Sequence, residues 1–311
     1  MNTLSIWRRL TCLAAFAYVL QGCSSAPQSF ATPDAAVDTL VAALRSDDQA
    51  QLSNILGPKS SDVLSSGDTV ADANARAEFL RLYDEKHTLT EPDADTRTLE
   101  VGQTDWPMPI PIVKDDKGWS FDTAAGLDEL LSRRIGRNEL AAIQVCLAID
   151  DAEREFVQND YDGDGWREYA QTFNSDPGKT NGLYWPPAEN HPQSPLGELV
   201  ATATEEGYKG RAAGETGPRP YHGYLYRILT AQGPDAPGGA VNYIAQGHMI
   251  GGFAVIAWPA EYANSGLKSF MVSHQGIVYE RDLGDDTDRI ARNMKSFDPG
   301  TGWERADATP K

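Results

Sequence analysis

Three aspartates at alternate positions, Asp160, Asp162 and Asp164, stand ahead of Gly165 in "NDYDGDGWREYAQ", residues 159–171. Hard Ca²⁺ takes six to eight oxygens, and alternate carboxylates on a turning loop converge on one point. In the twelve-residue calcium loop, Asp160, Asp162 and Asp164 occupy positions 1, 3 and 5, and Gly165 makes the turn at 6. Trp166 offers its carbonyl at 7 and Glu168 a carboxylate at 9. Position 12 is Gln171, where a bidentate glutamate belongs. The missing carboxylate lowers the expected affinity to the ~10⁻⁴ to 10⁻³ M range of extracellular modules. The same residues also suit a plain Asp/Gly turn that caps a helix over "WREYAQTF".

Other reactive patterns are sparse. The five histidines, His87, His191, His222, His248 and His274, show no His-x-x-x-His or His-Glu-x-x-His spacing, which argues against a zinc site. No Gly-x-Ser-x-Gly elbow occurs, and Ser265 in "ANSG" reads as turn chemistry. "GPDAPGGA" lacks the Gly-Lys-Ser/Thr of a phosphate cradle and reads as a long loop at a sheet end. Trp106, Trp185, Trp258 and Trp303 sit beside prolines or loops, as core, lid or recognition residues. These absences favour a non-enzymatic protein.

The start of the chain gives an address. Arg8 and Arg9 precede the apolar run Leu10–Leu20, then Leu20-Gln21-Gly22-Cys23 and a polar stretch. A basic segment and an apolar run this short describe an export signal rather than a membrane span. The Leu-x-Gly-Cys ending resembles the lipobox of bacterial lipoproteins, which implies that Cys23 becomes the acylated first residue, a palmitate-type modification. Acyl chains contribute ~0.8 kcal/mol per buried methylene, so such a chain is held to a membrane without a transmembrane helix. Ser24 after the cysteine implies the outer membrane if the cell has two.

The whole chain carries 27 basic and 45 acidic residues, net −18. Loss of residues 1–22 removes Arg8, Arg9 and no acid, leaving 25 against 45, or −20. A surface so negative repels phosphate backbones, which makes nucleic acid an improbable partner. Of the three cysteines, Cys12 leaves with the signal and Cys23 is acylated, so Cys146 in "LAAIQVCLAI" reads as an inert core thiol. With no disulfide available, hydrophobic cores must stabilise the chain, and its length suggests two domains.

The patterning supports an α+β class with two such domains. The boundaries expected are 1–22 for the signal, 23–31 for a tether, 32–133 and 134–305 for the domains, and 306–311 for a tail. In the first domain Thr32-Pro33-Asp34 opens a helix, a second covers Gln49–Leu56, and a third about Asp72–Tyr83. Short strands follow in "KHTLTE", "RTLEVG", "PIPIVK" and "WSFDT". In the second domain a long amphipathic helix from about Arg137 runs into the aspartate loop, and "YHGYLYRIL", "GGFAVIAWP", "LKSFMVSH" and "GIVYERD" read as an antiparallel meander.

Three resemblances follow from these segments. Helices followed by a meander with the "DDKGWSFD" hairpin resemble the cone-shaped nuclear-transport-factor-like fold over about residues 32–130. In enzymes of that fold the cone holds an acid-base pair, for which His87 and Asp105 are the candidates here. "NELAAIQ", "FVQNDYDGDGWREYA" and "FAVIAWPAEYANSGLKSFMVSHQGIVYERD" resemble the globular head of type IV pilins and type II secretion pseudopilins over about 137–285. The apolar half of the pilin helix is replaced by the lipobox and another domain. From about Thr32 to Trp303, stretches such as "ILGPKSSDVLSSGD", "VGQTDWPMPIPIVKDDKGWSFDTAAGLDELLSRRIGRNE" and "YRILTAQGPDAPGGA" resemble domain-of-unknown-function family 2950. That family carries no established activity. Together these readings imply a membrane-tethered, partner-binding or envelope-assembly module with a calcium-held loop. The alternative is a small-ligand carrier or hydrolase-type enzyme that uses the cone pocket.

Overall fold

A computed structural model describes residues 26–189, 191–209 and 219–307. Cys23 and the export signal lie outside the described residues. The class is α+β, with helices α1 Pro33–Ser46, α2 Gln49–Leu56, α3 Ser60–Leu64, α4 Thr69–Glu85, α5 Thr123–Phe156, α6 Gly197–Glu205 and α7 Thr287–Asn293. The first sheet is built from β1 His87–Thr90, β2 Thr96–Val101, β3 Trp106–Pro107, β4 Ile112–Asp115 and β5 Gly118–Phe121. Later strands are β6 Tyr224–Leu229, β7 Ala231–Gln232, β8 Val241–Asn242, β9 Ile244–Ala245 and β10 His248–Met249. They continue as β11 Ala254–Pro259, β12 Lys268–Ser273, β13 Tyr279–Asp282, β14 Ser296–Phe297 and β15 Glu304–Arg305. Among the described residues no helix is long and apolar enough to cross a membrane.

Local chemistry accounts for the early elements. Thr32 Oγ1 accepts the Ala35 N–H at 3.1 Å and Pro33 enters the first turn, which starts α1. Asp48 caps α2 in the same way, through the Gln51 N–H at 2.9 Å. The β4–β5 turn closes on Asp115 Oδ1, which accepts from Lys117 N and Gly118 N at 2.7 and 3.1 Å. Gly118 has φ +129° and lies so close to the Phe30 carbonyl that a Cβ would sit 2.4 Å from it.

The first sheet is antiparallel in the order β1-β2-β4-β5, with β3 on β2. Its inner face is filled by Leu99, Val101, Ile112 and Phe121, packed with Leu40, Val41, Leu52 and Ile55 of α1 and α2. Each large apolar side chain buried in this way contributes about 1.5–3 kcal/mol. The second core lies under the sheet β15-β13-β12-β11-β6. Every residue of β11 is buried, which requires cover on both faces; α5 packs against β12 and β11, and α7 packs against β11.

The long helix differs from its expected start. It begins at Thr123, capped by Asp122 Oδ1 on the Ala125 N–H at 3.1 Å, and passes through residues 133 and 134 without a break. Gly136 has open space beside it, so its lack of a side chain costs only propensity. The expected boundary therefore falls inside one 34-residue helix that both cores share.

Polar groups join the two halves beside that helix. Arg134 is buried and donates to the carbonyls of Asp62 and Val63 at 2.9 and 2.8 Å, and to Asn264 Oδ1 across the junction. Asp68 caps α4 with one oxygen and with the other accepts from Tyr208 Oη and Gly223 N at 2.8 and 2.9 Å. Burial disfavours the charge of Arg134, and its pKa is lowered accordingly.

Candidate functional sites

The aspartate loop follows the C-terminus of α5. Asp160 turns its carboxylate inward and accepts three backbone N–H groups, from Gly163 at 2.8 Å, Asp164 at 3.1 Å and Gly165 at 3.0 Å. Gly163 and Gly165 take φ +74° and +91°, which a side chain would strain. Asp164 Oδ1 accepts the Trp166 N–H at 2.8 Å. Ligand atoms of Asp160, Asp162 and Asp164 all lie within 4.8 Å of one another. Partial burial raises the pKa of Asp162, and repulsion from Asp164 adds to the shift.

Beyond Gly165 the chain departs from expectation. No helix restarts at "WREYAQTF", whose residues run extended and irregular. Their backbone groups bond to distant partners instead: Tyr169 N to Met249 O at 2.9 Å, and Ala170 N to Glu153 Oε2 at 2.9 Å. Tyr169 packs on Phe253 and Ala170 is buried, so tertiary burial overrides the local helix signal. The reading of the loop as a helix cap therefore does not hold.

Two expected ligands are drawn aside. Glu168 Oε2 accepts the Met249 N–H at 2.7 Å and Oε1 lies 3.2 Å from His248 Nδ1. Gln171 Nε2 donates to Gly247 O at 2.7 Å. His248 also approaches Asp164 Oδ2 at 3.3 Å and stacks on Trp166, whose side chain is exposed, at 4.7 Å. Asp164, Glu168 and His248 thus form a second donor group that shares Asp164 with the first. No spacing in the chain announces His248, which lies 80 residues from Glu168.

His87 and Asp105 do not form an acid-base pair. His87 Nδ1 is hydrogen-bonded to Tyr83 O at 2.9 Å, and the ring stacks on Tyr83 at 3.9 Å. Asp105 pairs with Lys86 Nζ at 2.6 Å. Neither lines a cavity of about 460 Å³ that lies between α4 and the first half of α5. Leu99 and Phe121 fill the interior of the first sheet, while Leu40, Leu56 and Ile110 of the same core also border the cavity. Ser265 closes a turn through Glu261, and the "GPDAPGGA" loop is tied back by Gln232 Nε2 to the carbonyls of Pro237 and Gly239. Trp185 and Trp258 are core residues, Trp303 is half-buried, and Trp106 is exposed at the cavity.

Buried acids lie further along α5. Glu153 is fully buried, and despite the Ala170 N–H its carboxyl is held well above the ordinary range by burial. Asp150 is raised by the same cause, against the Arg154 guanidinium at 2.9 Å.

The family model described as "Protein of unknown function (DUF2950)" matches residues 27–306, which span both cores and all of α5. The chain belongs to this family. No curated protein and no solved structure shows a match.

Proposed function

We propose that the protein is a membrane-tethered, non-enzymatic lipoprotein of the cell envelope that serves as a partner-binding or envelope-assembly module. The observation that carries this reading is the export sequence ending in Leu20-Gln21-Gly22-Cys23. Ser24 favours the outer membrane. Element order supports a cone-like first half and a pilin-like second half, the latter because one long helix lies over an antiparallel meander. Cys23→Ser should move the chain from the membrane fraction to the soluble fraction and abolish palmitate labelling. A variant that stays membrane-bound would overturn the tether.

Calcium, in this reading, fixes the corner after α5. Three carboxylates gather where the negative end of the helix dipole already favours a cation. Asp160, Asp162, Asp164 and the Trp166 carbonyl are the first donors. Glu168 and Gln171 would have to leave the 247–249 segment to join them, which keeps affinity in the ~10⁻⁴ to 10⁻³ M range. At Ca²⁺ about 100 times Kd the stabilisation is about 2.7 kcal/mol. For a chain of this size that raises the melting temperature by several degrees over the same protein in EDTA. Superimposable melting curves would remove the metal.

A second reading, a small-ligand carrier, is favoured by the cavity between α4 and α5. The hydrolase version of that alternative is not, since His87 and Asp105 point to partners elsewhere.

A further inference from the structure

The apolar face of α4 repeats at helical spacing, as Ala71, Ala75, Phe79 and Leu82, and such a stripe ordinarily packs into a core. Here Tyr83 is the only buried residue of the seventeen, while those four side chains face the cavity. Across the space, α5 presents Leu130, Arg133, Arg134 and Arg137 at i, i+3, i+4 and i+7, one face of the helix. The two helices thus give the cavity a mixed lining. Phe79, Leu82, Met108 and Leu130 supply apolar surface, and Arg76, Arg134 and Arg137 supply positive charge. Its volume of about 460 Å³ lies within the about 300–1,000 Å³ typical of small-molecule sites.

Charge narrows the occupant. The lining holds four arginines against two acids, Asp72 and Glu78, in a chain where acids outnumber bases 45 to 27. Both acids are already engaged. Asp72 accepts from Ser66 N and Oγ at 3.0 and 2.7 Å, and Glu78 is held by both arms of Arg81 at 2.8 Å. Two of the arginines are also occupied, Arg76 by Asp47 and Arg133 by Glu129. Arg134 has only carbonyls and an amide as hydrogen-bond acceptors. Arg137 is exposed and makes no hydrogen bond or ion pair among the described residues. A guanidinium beside apolar walls is a ready bidentate receptor for a carboxylate or phosphate.

We infer that this cavity binds a single-chain amphiphile with an anionic headgroup, its chain between Phe79, Leu82, Met108 and Leu130 and its headgroup on Arg137. This rests on the carrier reading and names the ligand class for that reading. A free fatty acid and a phosphate-headed lipid share this chemistry, and the probes separate them.

The full chain is expressed with Cys23→Ser, which removes the acylation site, and is purified without detergent. Dodecanoate, dodecyl phosphate, dodecanol and dodecyltrimethylammonium are titrated calorimetrically below their micellar concentrations. The expected result is one site that takes an anionic probe about 10-fold or more tighter than the neutral and cationic ones. The preferred anion identifies the source. Arg137→Ala should remove that preference without moving the melting temperature, and Ala75→Phe, which fills the space, should weaken all four probes alike. If all four bind the parent chain equally and Arg137→Ala changes nothing, the headgroup assignment is overturned while the carrier reading stands. If none binds, or if light scattering shows a dimer that dissociates in Ala75→Phe, both are overturned.

Discussion

Along α5 two kinds of charge meet two kinds of surroundings. In its first half Arg133, Arg134 and Arg137 border open space, and α4 across that space leaves Phe79 and Leu82 only partly buried. In its second half Asp150 and Glu153 are enclosed by packed side chains, and the carboxylates of the following loop are met by backbone N–H groups. The first arrangement leaves a shaped space beside Arg137, the feature on which the proposed ligand site rests. The second has charges without room, so it serves to fix the chain where the helix ends. Proteins bury charge only with partners or at the expense of stability, and the two halves solve that problem in opposite ways.

The sharpest way to break this contrast is at Arg134, which belongs to the wall of the cavity and to the junction at once. Arg134→Ala strands the carbonyls of Asp62 and Val63 and the Asn264 amide, and should destabilise the chain by about 3 kcal/mol in urea unfolding. A loss below about 1 kcal/mol would mean that water replaces the guanidinium and that the two halves are not joined there.

Next in size is the pH response of the second half. Glu153 is raised in the folded state, so the folded chain holds a proton that the unfolded chain releases above about pH 4.3. Between that value and the folded pKa the unfolded state binds fewer protons, and stability falls as pH rises. Asp150, also raised, acts in the same direction. Glu153→Gln should flatten the fall, leaving the variant at least as stable as the parent at pH 8 and no more stable at pH 4. Parallel melting curves for the two proteins from pH 4 to 8 would place Glu153 in contact with solvent.

The smallest effect separates packing from reactivity. Burial pushes the Cys146 thiol up to about 12, so a thiol reagent at pH 8 should leave the folded Cys23→Ser chain unlabelled for hours at that position and label it at once in urea. Rapid labelling in the folded state would show that the α5 core opens near its middle.

Local signals in the chain were enough for much of the frame. Thr32, Asp48 and the β4–β5 turn each announce themselves within four residues, and the strands from Tyr224 to Asp282 alternate or run apolar as expected. What stayed hidden depends on partners far along the chain. "WREYAQTF" has helical propensity, yet Glu153 and Met249 claim its backbone. His248 reaches Glu168 only after β10 is in place. The arginines of α5 fall at the expected boundary between 133 and 134, and only the position of α4 turns them into a cavity wall.

The single 34-residue helix has a kinetic consequence. At 1.5 Å per residue it is about 51 Å long; its first half lays Leu130 against the first core, and its second half supplies Ala142 to Phe156 to the second. The second core cannot form before that rod, and the rod is not finished until residue 156 has been made. An emerging chain cut after residue 133 would hold every buried residue of the first core but a severed helix, so the second core orders with the first or after it. For a chain that must cross a membrane unfolded before it folds, in the reading proposed above, that late commitment keeps its second half loose until the whole of α5 has passed through.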